Sequence, residues 1–325
     1  MTHVHALLGA ESRTPVVRKI GMADIREALS RGTSDFLAMP THAIFLCLIY
    51  PVIGLILARM VLGYDVLPLL FPLAAGFALV GPFAAIGFYE LSRQRELGLT
   101  PSWQDAFDVL HSPSRGAIAA LGALLLAIFL IWVAVAEAIY IANFGYQPAA
   151  SMPNFARAIL TTPAGWMLII VGNGVGFLFA LAVLMISVVS FPLLLDRDVG
   201  AVEAVLTSLR AVAANPVPMA TWGLIVAALL VIGSLPFFLG LAVVVPLLGH
   251  SAWHLYRRVV EPDLGPRPEH RPRSRAQRYA ADFPAALFPS QAVEAESSGE
   301  APAPEKPPAQ PQTLERTTQS PPLGQ

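Results

Sequence analysis

A chain of 325 residues in which 55% are hydrophobic and only 13% charged lies far from the roughly 25% charge of a soluble domain. Its net charge of −1 excludes the concentrated basic field that nucleic-acid binding needs. The single cysteine, Cys47, excludes an internal disulfide.

Long apolar runs put the chain among polytopic membrane proteins. Met1 to Arg13 is mixed and polar. It lacks the apolar centre of a cleavable signal, so the first apolar run is expected to act as the targeting signal and to stay in the membrane. Gly21 to Met39 reads as an amphipathic helix, with Ile25, Ala28, Leu29 and Phe36 on its apolar side and Arg26, Glu27, Arg31 and Asp35 outside it. Pro40 stops it. A first span is predicted from about Ala43 to Leu62, and Gly63-Tyr64-Asp65 turns the chain into a second, from about Leu67 to Tyr89.

A second amphipathic segment covers Ser102 to Leu110. Trp103, Ala106, Phe107 and Leu110 fall on one α-helical face, and Ser102 with Asp105 has the spacing of a capping box. After Pro113 a third span runs from about Gly116 to Ile141, followed by a polar connection from Ala142 to Pro163 and a long fourth span from about Trp166 to Leu195. The charged Asp196-Arg197-Asp198 step comes next, with Asp198 placed to cap a third amphipathic helix striped by Val202, Val205, Leu206, Leu209 and Val212. Beyond Pro216, Met219 to Leu235 and Phe237 to Tyr256 read as spans five and six, separated at Pro236.

The expected fold class is therefore all-α and polytopic, with six transmembrane helices and three amphipathic helices lying in the cytoplasmic headgroup layer. Each unit repeats as amphipathic helix, proline and two spans, which predicts a threefold internal repeat. Three regions follow: a cytoplasmic segment over residues 1–42, a transmembrane domain over 43–260, and a Pro-rich tail over 261–325. The tail has too little apolar periodicity to offset the entropy of folding and is expected to be disordered. Arginines concentrate before span one, between spans two and three, between four and five, and after span six. By the positive-inside rule both termini are expected in the cytoplasm of a bacterial cell, with the protein in its inner membrane.

Three segments carry a family resemblance. They run from Gly81-Pro82-Phe83 through Tyr89-Glu90-Leu91-Ser92-Arg93, from Phe191 to Asp198, and from Gly249 to Arg258. With them the stretch from about Val17 to Val260 resembles a bacterial integral-membrane family, domain of unknown function 2189, some of whose members are labelled a cytochrome c oxidase subunit. The family brings no established activity. A haem–copper catalytic subunit needs several axial and copper-binding histidines. Of the seven histidines here only His42, His250 and His254 lie near spans, so the label fits at most an accessory chain.

Ionisable groups inside spans mark sites or structural pairs. Glu137 is the acidic residue within an apolar run, and Arg59 and Asn173 are the polar groups expected at a similar depth. His250 and His254, spaced i, i+4, share a helix face on which two metal ligands can stand, or two hydrogen-bonded interfacial rings. Gly172 and Gly176 have the spacing of a close helix contact. No nucleophile stands beside a base, no zinc-protease motif appears, and no catalytic residue or cofactor is expected.

The leading functional expectation is a non-enzymatic accessory, assembly or scaffold protein whose partners are the lipid bilayer and another membrane protein. Two alternatives stand beside it. One is a small-solute or ion transporter using Arg59, Glu137 and Asn173; the other is a metal- or haem-linked respiratory accessory subunit using His250 and His254.

Overall fold

The computed structural model describes residues 14–39, 72–73, 79, 81–83, 85–146, 152–236 and 238–262. The first span, most of the second, Arg59, His42, Cys47 and all but the first residues of the tail lie outside the described residues. Within them the secondary structure is helical, apart from a single antiparallel bridge between Val17 and Val260.

The helices, in chain order, are α1 (Met22–Ala38), α2 (Ile86–Glu96), a 3-10 helix (Trp103–His111), α3 (Arg115–Phe144), α4 (Met152–Thr161), α5 (Pro163–Ser187), α6 (Ser190–Asp196), α7 (Ala201–Ala214), α8 (Pro216–Ser234) and α9 (Leu241–Val259). Three stretches among the described residues are long and apolar enough to cross a membrane: Arg115–Phe144, Pro163–Asp196 and Pro216–Ser234. They correspond to the third, fourth and fifth predicted spans. At about 1.5 Å per residue, the 30 residues of α3 exceed the roughly 30 Å of a hydrocarbon core.

The fourth span is not one continuous helix. It breaks at Val188–Val189, between α5 and α6. The Val189 N–H freed by the break donates to Ser208 Oγ at 3.3 Å, and Ser190 Oγ donates to the Ala204 carbonyl at 3.1 Å. Both acceptors lie on α7, whose buried face is Ala204, Thr207, Ser208 and Ala211. Small side chains bring α7 close enough to satisfy the broken ladder. Val202 and Leu206, part of the apolar stripe that the sequence expectation laid in the headgroup layer, are both exposed. The expected Asp198 cap is not formed. Gly200 occupies the N-cap position and makes no side-chain cap bond.

The polar connection predicted from Ala142 to Pro163 contains a helix, α4. Its Phe155 packs edge-on against Tyr140 and Phe144 of α3, and Thr162 caps α5 by accepting from Gly165 N at 3.0 Å. Of the predicted glycine pair, Gly176 meets the Trp132 ring, while a Cβ on Gly172 would enter open space. Close packing accounts for one glycine and not the other.

α1 forms as predicted but does not lie loose on a surface. It packs along α9, burying Ile25, Ala28, Gly32 and Asp35. A Cβ on Gly32 would lie 2.6 Å from Ser251 Cα, so only glycine permits this crossing. The entry and exit of the chain are tied beside it. Arg18 N donates to the Val259 carbonyl at 2.7 Å, and Glu261 N donates to the Val16 carbonyl at 3.0 Å. Asn215, at the joint between α7 and α8, accepts from Ile20 N at 2.8 Å and donates to the Arg18 carbonyl at 3.0 Å.

Candidate functional site

The three segments that carry the family resemblance converge at one end of the helix packing. α2 contributes Glu90, Ser92, Arg93 and Glu96; the end of α6 contributes Asp196; α9 contributes His250, Trp253, His254, Tyr256 and Arg257. α1 adds Asp35, which sequence periodicity had placed outside its apolar side. It is instead buried. A helix of this length presents Asp35 on the same face as Ala28 and Gly32, and the partners that make its burial tolerable come from distant parts of the chain.

Two linked networks result. In the first, Asp35 Oδ2 accepts from Ser92 Oγ at 2.6 Å and stands 2.7 Å from His254 Nε2, while Arg95 Nη1 lies 3.1 Å from Oδ1. Burial alone would raise the Asp35 carboxyl, but the hydrogen bonds from His254 and Ser92 and the nearby imidazoles hold it below the usual carboxylate value. Ser92 Oγ also lies 2.8 Å from His250 Nδ1. A hydroxyl has one proton and an ionised carboxylate can only accept, so Ser92 donates to Asp35 and His250 Nδ1–H donates to Ser92. That assignment leaves the lone pair of His250 on Nε2, which is buried without a hydrogen-bond partner among the described residues. Phe88 stands edge-on to the ring at 5.5 Å.

In the second network Glu96 accepts from Trp253 Nε1 at 3.0 Å and from Arg257 Nη2 at 2.8 Å. Arg257 reaches Asp196 at 3.3 Å, and Asp196 also accepts from the Tyr256 hydroxyl at 2.7 Å. The Arg257 guanidinium sits 5.9 Å from the centre of the Trp253 ring. Close by on α2, buried Glu90 is held by Arg93 at 2.8 Å and by Gln94 at 2.8 Å.

Serine, histidine and aspartate thus meet where the sequence offered no nucleophile beside a base. Their order differs from that of a catalytic triad: serine bridges the other two, whereas histidine must bridge to take the serine proton. Ser92 is also fully buried. The arrangement joins α1, α2 and α9 rather than opening a reacting group to substrate.

His250 and His254 do share a face of α9, but each ring faces a different protein group, Ser92 for one and Asp35 for the other. Among the described residues no group of three or more His, Cys, Asp or Glu is arranged to hold a metal ion. Glu137 is half-buried on α3. Asn173 is exposed on α5 and donates to the carbonyl of Ile169 one turn back in its own helix, at 2.7 Å. The first of these polar candidates, Arg59, lies outside the described residues.

The meeting of Asp35 with Ser92 and His254 was not legible from periodicity. The one available signal was the alignment of Asp35 with Ala28 and Gly32, small residues that mark a close helix crossing.

Residues 69–196 match a family model described as "Predicted integral membrane protein (DUF2189)". This is the family whose resemblance the sequence carries, and the match covers the first of its three segments and the second as far as Asp196. No curated protein matches the chain, and no solved structure matches it.

Proposed function

We propose that this chain, with residues 69–196 in the family of domain of unknown function 2189, is a non-enzymatic accessory or assembly protein of the bacterial inner membrane. The observation that carries this reading is the division of its surface. The polar groups at one end pair with one another, while the membrane-length helices present bare apolar walls: Leu126 and Leu130 on α3, Ile170 and Phe177 on α5, Leu224 and Val231 on α8. Such walls suit lipid and the apolar flank of another membrane protein.

In this reading six helices cross the bilayer, and both ends of the chain face the cytoplasm. The arginine distribution supports the sidedness. The bridge from Val17 to Val260 supports an even number of crossings, because it puts entry and exit on the same face.

Native mass spectrometry on protein gently extracted from its own membrane, with metal and haem assayed in parallel, tests the proposal. A second membrane protein retained in stoichiometric amount supports it. Retention of a small solute, together with loss of an uptake or efflux phenotype in Glu137→Gln at unchanged abundance, overturns it in favour of transport through Arg59, Glu137 and Asn173. Bound metal or haem that disappears when His250 and His254 are both changed to alanine overturns it in favour of a respiratory accessory subunit.

A further inference from the structure

Two segments at one end of the molecule turn their apolar side chains away from the protein. α7 packs through Ala204, Thr207, Ser208 and Ala211, and leaves Val202 75% and Leu206 40% exposed. The 3-10 helix packs through Ala106 and Val109, and leaves Phe107 49% and Leu110 65% exposed, with Trp103 edge-on to Phe107 at 6.3 Å. In water an amphipathic helix does the reverse, because each apolar side chain left exposed forgoes about 1.5–3 kcal/mol of burial.

Position decides what covers these faces. The 3-10 helix is separated from the membrane-length α3 only by Ser112 to Ser114. α7 is set between α6, the end of one membrane-length stretch, and α8, the start of another. Ser114 Oγ donates to the Arg197 carbonyl at 3.4 Å, which ties the start of α3 to the end of α6 and brings both segments to the same end. A bilayer boundary therefore passes at the level of both. Trp103 has the apolar body and polar tip of an interfacial residue, and the exposed Arg115 and Arg210 can reach headgroups while their stems lie along the apolar zone. Five scattered side chains fall well short of the roughly 20–30 residues per side of a stable protein interface.

We propose that Trp103, Phe107, Leu110, Val202 and Leu206 are inserted in the headgroup–acyl boundary of one leaflet, so that α7 and the 3-10 helix anchor the bundle at a fixed depth in the bilayer. This rests only on the membrane assignment and holds equally for an accessory protein or a transporter.

The test uses the full chain carrying Cys47→Ala, reconstituted in vesicles of phosphatidylcholine and phosphatidylglycerol. A nitroxide is placed in turn at positions 107, 110, 202 and 206, with exposed His111 and Asp198 as reference positions. The four sites should collide more often with oxygen than with a water-soluble nickel chelate, and the reference sites should do the opposite. Equal access of the chelate to all six positions overturns the proposal by showing that these faces meet water. Shielding of the four sites from both reagents overturns it by showing that protein covers them. A check that leaves α7 and the other labelled positions unaltered compares quenching by brominated lipid in the parent chain and in Trp103→Phe. The fluorescence lost with Trp103 should be quenchable, and an unquenched component overturns the proposal as well.

Discussion

Gly32 and Ser251 lie so close that a methyl group built on the glycine would fall 2.0 Å from Ser251 Oγ and 2.6 Å from Ser251 Cα. This contact sets the distance between α1 and α9 and so fixes where Asp35, one helical turn further on, meets Ser92 and His254. Gly32→Ala should force the helices apart at a cost of about 1–3 kcal/mol. Thermal unfolding in lipid nanodiscs should show a clear drop in midpoint. Gly116→Ala, where a Cβ meets nothing within 4 Å, serves as the contrast and should be neutral or slightly stabilising.

Breaking the buried network should cost more than loosening its packing. Asp35→Ala removes the acceptor shared by Ser92 and His254, with an expected loss of about 3–5 kcal/mol. Ser92→Ala should cost less, about 1–3 kcal/mol, by leaving His250 Nδ1–H without its acceptor. Because the two side chains share a hydrogen bond, the double variant should lose less than the sum. A double-mutant cycle that proves additive would place them in separate environments.

Acid should unfasten the same joint. The Asp35 carboxyl titrates lower in the folded protein than in the unfolded chain, so its contribution to stability is complete above the unfolded value of about 4 and declines as pH falls through the lower folded value. His254, His250 and Arg95 are the charged or titratable groups facing it. Stability measured from pH 6 downward should fall more steeply in the parent chain than in Asp35→Asn, which has no carboxylate to protonate.

Asn215 holds the chain entry against the α7–α8 joint through Ile20 N and the Arg18 carbonyl. Asn215→Ala leaves both groups unpaired and should release residues near Arg18 and Lys19. Limited trypsinolysis should then cut there several times faster than in the parent, with the rest of the digestion pattern unchanged. Equal cutting rates would mean that the pairing of Val17 with Val260 is sufficient by itself.

Much of the fold was legible because it depends on one-dimensional patterns. Long apolar runs marked α3, the α5–α6 stretch and α8, and prolines and Gly21 marked helix ends. Ser102 and Asp105 do pair, with the carboxylate accepting from Ser102 N at 2.6 Å. What misled was the assumption of an α-helical period in the second amphipathic segment. In a 3-10 helix residues i and i+3 align, so Ala106 and Val109 turn inward and Phe107 and Leu110 turn out. In α7 the need to satisfy the Val189 N–H drew Ser208 inward and left Val202 facing away. α9 falls within the stretch expected as the sixth span, and the apolar pattern gave no sign that His250, Trp253, His254 and Tyr256 make its second half part of a polar joint.

The sequence by itself determined that this is a helical protein of the membrane, where its longest apolar helices fall, and which segments carry a family resemblance. Those properties are sums along the chain: hydropathy over a helix length and the positions of helix breakers. Only the tertiary structure decided that Asp35, Ser92, His250 and His254 form one buried network, that Glu96 and Asp196 share Arg257, and that α7 is packed by its small polar face. Those facts depend on pairs such as Asp35 and His254, far apart in the chain, whose meeting is set by how closely α1, α2 and α9 can approach. That distance is governed by Gly32 and Ser251 and by the need of each buried polar group for a partner, terms that no single segment carries.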